Sequence, residues 1–357
     1  MTAAMAHAIT SAAGKAPNLA PVRVWLFALA GLVLLMVSLG GATRLTGSGL
    51  SITEWQPIIG TLPPLTDADW QEAFRKYQQI PQYEYLNKGM SLDAFKAIFW
   101  WEWTHRNLGR LIGIAFLLPF LCFLTAGYLS RRLGLTLAGI FALGGLQGLL
   151  GWYMVSSGLS ERVDVSQYRL ALHLGLGVLI LAALLWTALS LRARAQGAPS
   201  QAPGCAATAI VPLVFLQVIL GALVAGLKAG HAYNTWPLMD GRLIPSGLWA
   251  IEPWYLNLFE NALTVQFNHR LVAYALLLAV FWRAVVLARS RRDPGARVSA
   301  GCLALAVTAQ LGLGIYTLIS QVPPLLGIAH QAMAVVLFAL AVWHLFETRH
   351  PRLASRC

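Results

Sequence analysis

Trp101-Glu102-Trp103-Thr104-His105-Arg106 sets a carboxylate, an imidazole and a guanidinium at the mouth of a charge-free run, Leu111–Ser130. A bilayer span takes about 20 apolar residues, and this run supplies them. Residues three apart on a helix share a face, so Glu102 and His105 are expected to point the same way. Charged groups at membrane depth are costly and mark function. A second copy of the outline, Gln266-Phe267-Asn268-His269-Arg270, keeps the His-Arg pair and replaces the acid.

Outward from that stretch, the charge-free pattern recurs in Val24–Thr43, Leu133–Ser160 and Leu170–Leu191. Only 11% of the 357 residues are charged and 57% are hydrophobic, with a mean hydropathy of +0.63. Soluble domains carry about 25% charged residues. The chain therefore reads as an all-α polytopic membrane protein. Eight spans are expected: 24–43, 97–130, 133–155, 169–191, 207–227, a sixth that ends near Ala288, 298–319 and 327–346.

A net charge of +12 invites a nucleic-acid reading, but the placement of the charge excludes it. Arg131, Arg132, Arg192, Arg194, Arg283, Arg289, Arg291, Arg292 and Arg297 fall in alternate short connections, and Arg349, Arg352 and Arg356 in the tail. The intervening loops hold nearly all the acids, from Glu54 and Asp67 to Asp240 and Glu260. Excess Lys and Arg mark the cytoplasmic side, so both termini are placed there. Of the four cysteines, Cys122, Cys205, Cys302 and Cys357, none falls in an outer loop, and no structural disulfide is expected.

Internal repetition gives the domain plan. Gly40, Gly49, Trp55, Gly60 and Pro64 match Gly221, Gly230, Trp236, Gly241 and Pro245 at one constant spacing. Gln147-x3-Gly151-x-Tyr153 matches Gln310-x3-Gly314-x-Tyr316, and His173 matches His330. Four spans per half give the halves the same orientation, as parallel repeats have. The expected plan is a tail (1–22), a four-helix half (23–191), a linker (192–206), a second four-helix half (207–346) and a tail (347–357), with the halves pseudo-symmetric. The first outer loop, 44–96, contains two helix-start signals, Asp67-Ala-Asp-Trp70 and Ser91-Leu-Asp-Ala-Phe95.

Eight histidines are present. His7, His344 and His350 are expected to be solvated or interfacial, and His231 lies in the second half's outer loop. His105, His173, His269 and His330 fall within the first few turns of helices that enter from the outer side, at one depth and in two pairs. Zinc needs a third and fourth ligand, usually Cys, Asp or Glu, which the two halves do not share. Two imidazoles from facing helices suit the axial positions of haem iron, with Arg106 and Arg270 placed to pair with propionates. Packing by hydrogen-bonded histidines is the plainer alternative.

The chain resembles the haem A synthase family over nearly its whole length. The motifs are Gly-Gly-Ala-Thr-Arg-Leu-Thr-Gly-Ser-Gly-Leu-Ser-Ile-Thr-Glu-Trp (40–55), Glu102-x-x-His105-Arg106, Asn-Thr-Trp-Pro-Leu-Met-Asp-Gly (234–241) and Asn268-His269-Arg270. The resemblance implies two four-helix bundles and oxidation of the C8 methyl of haem O to a formyl group, by successive hydroxylations and loss of water. It assigns His105 and His173 to the substrate haem, His269 and His330 to a haem b cofactor, and Glu102 as the acid beside the first histidine. Many bacterial members have a cysteine pair in the first outer loop; this chain has none, like the branch shared by proteobacteria and mitochondria. The resemblance further implies the bacterial inner membrane, haem sites toward its outer side, a haem O synthase as supplier and an unidentified electron acceptor. It leaves a homo-oligomer open.

The asymmetry of the halves makes the first the catalytic one: Glu102 is a proton acceptor or charge stabiliser beside the oxidised methyl, with a structural ion pair to Arg106 or Arg110 as the competing role. A di-haem cytochrome b that carries electrons from quinol accounts for four histidines but not for this asymmetry. A duplicated transporter predicts polar residues at mid-membrane, whereas here they crowd to one side.

Overall fold

The computed structural model describes residues 18–56, 59–160, 162–195, 205–289 and 294–350. Eight helices are long and apolar enough to cross a membrane. They are α1 (Ala20–Leu45), α4 (Leu92–Thr125), α5 (Arg131–Ser156), α6 (Gln167–Ala195), α7 (Cys205–Gly226), α9 (Ala262–Ala288), α10 (Pro294–Ile319) and α11 (Pro324–Arg349). Two short helices, α2 (Asp67–Tyr77) and α3 (Pro81–Leu86), lie in the first outer loop, and the one-turn α8 (Ala229–Ala232) lies in the second. No strand occurs among the described residues.

Helix starts follow local chemistry. Thr66 and Asp69 form a reciprocal capping box at α2, with Asp69 N–H donating to Thr66 Oγ1 at 3.2 Å and Thr66 N–H to Asp69 Oδ2 at 3.0 Å. The second start signal opens a span: Ser91 Oγ accepts from Ala94 N–H at 3.2 Å and caps α4. That helix begins at Leu92 rather than near Ala97, so Glu102 and His105 sit three turns inside it. The boundary was misplaced because Lys96 and Asp93 read as loop, whereas on the first turns of a spanning helix they remain in the interface. The tail and linker boundaries move for a similar reason: α1 begins at Ala20, α6 runs to Ala195, and α11 runs to Arg349. Residues 1–17 and 196–204 lie outside the described residues.

The same pairs of helices pack in both halves. The first half has α1 on α4, α4 on α5, α5 on α6, and α1 on α6; the second has α7 on α9, α9 on α10, α10 on α11, and α7 on α11. Between halves, α1 packs on α11, α6 on α7, and α6 on α11. Four helices, α1, α6, α7 and α11, thus form the middle of the molecule. Their facing residues build one apolar core that includes Leu26, Leu29, Leu181, Leu184, Val214, Phe338 and Val342. The outer loop of the first half docks on α4 through Phe74 and Tyr77 against Phe95, with ring centroids 5.1 and 5.3 Å apart.

His344 departs from the interfacial expectation. It is fully buried, with Ser299 Oγ 2.9 Å from Nδ1 and Arg283 Nε donating to Nε2 at 3.4 Å. The last turns of α11 pack against α10 and α6, and Arg283 of α9 reaches the ring, which position along the chain alone does not show.

Candidate functional site

The four histidines expected to work in pairs are each seated against a glycine of a neighbouring helix. A methyl placed on Gly40 would stand 3.0 Å from His105 Cε1, on Gly151 3.0 Å from His173 Cε1, on Gly221 3.2 Å from His269 Cε1, and on Gly314 2.7 Å from His330 Cε1. Glycine is required at these four positions because the imidazole edge occupies the place of a side chain. His105 and His173 lie within electrostatic range of each other, as do His269 and His330. Among the described residues, no three His, Cys, Asp or Glu side chains converge into a metal-binding group. The arrangement is two pairs.

Glutamines brace three of these histidines. Gln147 Nε2 donates to the His173 carbonyl at 2.9 Å, Gln217 Nε2 to the His269 carbonyl at 3.0 Å, and Gln310 Nε2 to the His330 carbonyl at 3.0 Å. The same amide nitrogens lie 3.4, 3.1 and 3.5 Å from ring nitrogens of His173, His269 and His330. Gln147 and Gln310 were visible in the sequence only as repeat landmarks. The signal that identifies their task is Gln-x3-Gly one helix away from each histidine, which Gln217-x3-Gly221 shares.

Glu102 and Arg106 form a nearly enclosed ion pair, with Arg106 Nε 2.7 Å from Glu102 Oε1 and side chains 16% and 5% exposed. All three Arg106 nitrogens donate: Nη2 to the Ile52 carbonyl at 2.7 Å and Nη1 to the Glu54 carbonyl at 2.8 Å. One turn further, Arg110 Nη2 donates to the Gln56 carbonyl at 2.8 Å. The segment 52–56 is thereby held across α4 by two arginines. Lys76 of α2 adds a bond to the Glu54 side chain at 2.7 Å, and that hydrogen bond raises the Lys76 ammonium above its ordinary value.

The second half repeats the arrangement with neutral chemistry. Arg270 Nη2 donates to Gln266 Oε1 at 2.9 Å and to the Tyr233 carbonyl at 3.3 Å. Gln266 Nε2 donates to the Ala229 and Tyr233 carbonyls at 3.0 and 2.8 Å. Arg270 Nε and Nη1 are buried without a partner. Also unpartnered are Nδ1 of His105, His173 and His330, Oε1 of the three bracing glutamines, and Trp103 Nε1. Buried polar atoms are normally satisfied; the unpartnered N–H groups of Arg270 fit an anionic acceptor, and the unpartnered imidazole nitrogens fit a metal.

Trp55 and Trp236 are both about half exposed. Trp55 lies 6.3 Å from the Trp152 ring, and Trp236 Nε1 donates to Tyr274 Oη at 3.0 Å. His231 is exposed.

An eight-span helical membrane protein with two glycine-seated histidine pairs is the class that this fold and site define. The chain matches the family described as cytochrome oxidase assembly protein over residues 23–342. It is 55% identical to the haem A synthase of Parvibaculum lavamentivorans over 320 residues, covering 90% of this chain and 92% of that one. Identity to the haem A synthase of Bradyrhizobium diazoefficiens is 56% over 338 residues, with 94% and 92% covered. That of Nitrosospira multiformis is 52% identical over 338 residues, with 92% and 94% covered. The chain belongs to the haem A synthase family.

Proposed function

We propose that this protein is a haem A synthase that works in the bacterial inner membrane, oxidising the C8 methyl of haem O to the formyl group of haem A in its first half. Each hydroxylation replaces one C–H by C–OH at the same carbon and the resulting diol loses water, so the net change is CH3 plus one water to CHO, with four electrons passed to the external acceptor and four protons released. The observation that carries the assignment of halves is the Glu102–Arg106 ion pair beside His105, where the second half has Gln266–Arg270 beside His269. A relay site handles electrons alone and has no use for a carboxylate. Oxidation of a methyl group also releases protons, and a carboxylate at the ring edge accepts them or stabilises developing positive charge.

In this reading His105 and His173 hold the substrate haem O, and His269 and His330 hold a haem b. The residues fit such a group: paired imidazoles, of which His105, His173 and His330 have an unpartnered Nδ1, a glycine behind each ring, and Arg270 with Nε and Nη1 unpartnered for a propionate. When bound, haem b supplies one-electron transfer between the substrate site and an external acceptor. Arg270 is the propionate partner. Arg106, with every nitrogen already donating, serves first as the anchor that holds segment 52–56 over the substrate site and keeps Glu102 oriented. A haem O synthase supplies the substrate. Alternate basic connections place both termini in the cytoplasm and both sites toward the outer side.

The test is haem extraction and mass identification from the purified wild type and Glu102→Gln. Glutamine is already accommodated at the matching position, so Glu102→Gln should retain both haems and accumulate haem O without haem A. Normal haem A production by this variant would remove Glu102 from the chemistry and leave it a structural ion pair. Haem b alone at two per wild-type chain would favour an electron carrier.

A further inference from the structure

We infer that His105 is the exchangeable ligand of the substrate-haem site, and that Met36 makes it so by standing where a glutamine braces each of the other three histidines. The inference rests on the haem-ligating role proposed above for the four histidines.

Each bracing glutamine lies one helical turn before the glycine that seats the ring: Gln147 before Gly151, Gln217 before Gly221, Gln310 before Gly314. The fourth member of the series is Met36 before Gly40. The structure puts its side chain in the same place. Met36 Cε lies 3.1 Å from where a methyl on Gly109 would stand, and Gln147 Nε2 lies 3.4 Å from where one on Gly177 would stand. Gly109 and Gly177 each follow their histidine by one turn. The thioether end of Met36 therefore occupies the position of the amide, but a thioether has no N–H to donate. The amide that donates to the histidine carbonyl and lies within 3.5 Å of a ring nitrogen in the other three sites has no equivalent at His105.

Hydrogen bonds to a metal-ligating histidine fix its ring orientation, and their loss costs about 10–100-fold in metal affinity. Without that donor on its carbonyl, the turn of α4 that carries His105 is held less firmly than the turns that carry the other three, and its ring turns away from the metal more readily. The bracing is thus two of two in the second half and one of two in the first. That distribution suits the traffic each site carries. A cofactor site must not lose its haem, whereas a substrate site must admit haem O and release haem A at every turnover. The Met36 asymmetry lies on α1 and α7, and the Glu102 asymmetry on α4 and α9, so the two are independent indications of which half exchanges.

The experiment is haem transfer from detergent-solubilised holoprotein to excess apomyoglobin, with the released haem identified as O, A or b by mass. In the wild type, haem O or A should leave faster than haem b. Met36→Gln should slow that release by about 10–100-fold, and Gln217→Met, which removes the donor from His269, should speed haem b release by a similar factor. Unchanged release of haem O or A from a folded Met36→Gln protein overturns the inference. If Met36→Gln does not fold, Gln217→Met decides alone, and an unaltered haem b release overturns it. Absence of haem from the wild type would instead overturn the haem-site reading on which it rests.

Discussion

Gly314→Ala tests the seating of the histidines directly. Its added methyl would stand 2.7 Å from His330 Cε1 and 3.3 Å from Nδ1. Relaxed carbon–carbon contact is about 3.5–4.0 Å, so the imidazole must withdraw by roughly 0.8 Å or more. Metal–ligand distances hold to within about 0.2 Å, and His330 cannot meet both demands without moving its helix. Gly312, on the same helix, has no atom within 4 Å of its methyl position. Gly312→Ala makes the same gain in helix propensity, about 1 kcal/mol, without touching a ring. The assay is haem b per chain from the alkaline pyridine spectrum, with the ferric low-spin resonance as the record of two imidazole ligands. Gly314→Ala should lose haem b or the bis-imidazole signal, and Gly312→Ala should keep both. Gly221→Ala, which starts from 3.2 Å, should be the milder of the two seated-ring variants. Full haem b with an unchanged resonance in Gly314→Ala would refute the seating argument.

Four further substitutions have outcomes set by the structure. Arg106→Met strands a Glu102 that is 3% exposed without its counter-charge, at a cost of about 3–5 kcal/mol. Arg270→Met removes bonds to the Gln266 amide and the Tyr233 carbonyl and leaves only neutral acceptors behind, at a cost of about 1–3 kcal/mol; a loss in thermal unfolding larger than that of Arg106→Met would contradict the difference between halves. Lys228→Met breaks the 2.6 Å bridge to Asp164, which links the halves, but its side chains are 50% and 38% exposed, so unfolding should shift by less than about 1 kcal/mol. The Thr66 side chain, then the Thr66 and Leu65 amides, hold the Asp69 carboxyl below its ordinary value. A depressed carboxyl stabilises the fold above its unfolded-state value, and that contribution is lost as pH falls through the folded one. Hydrogen exchange in α2 should therefore quicken below about pH 4, and Thr66→Ala, which removes the side-chain bond and leaves the two amide bonds, should reduce that pH dependence.

The fold was legible because its determinants are local and periodic. Charge-free runs, alternating basic connections and the repeated landmarks each survive reading one residue at a time. The four histidines were legible for the same reason: each sits near the outer end of a span, and their count and pairing do not depend on side-chain direction. Three features were not. The seating glycines Gly40, Gly151, Gly221 and Gly314 stood out only as repeat landmarks, since what a glycine leaves room for is decided by a helix elsewhere in the chain. The full engagement of Arg106 depends on backbone carbonyls at Ile52 and Glu54, which no side-chain pattern announces. The burial of His344 follows from α10 packing along α11 and Arg283 of α9 reaching its ring, an outcome that the polar character of histidine argues against.

The two halves differ at few of the positions that face the histidines, and these differences point the same way. Met36 replaces a donor by a thioether where Gln217 braces His269. Glu102 replaces an amide by a carboxylate where Gln266 meets Arg270, and Arg106 spends three N–H groups on Glu102 and the loop carbonyls while Arg270 Nε and Nη1 have no partner. In the proposed function, the first half has therefore exchanged a held ligand for a freer one, a neutral edge for an ionisable one, and a propionate partner for a loop anchor. Each exchange weakens permanent retention of a haem or adds proton-accepting capacity beside it. A duplicated electron carrier gains from neither, because its two sites perform the same task. An enzyme that turns over one haem while keeping another requires both, and it requires them in the same half, where this chain has them.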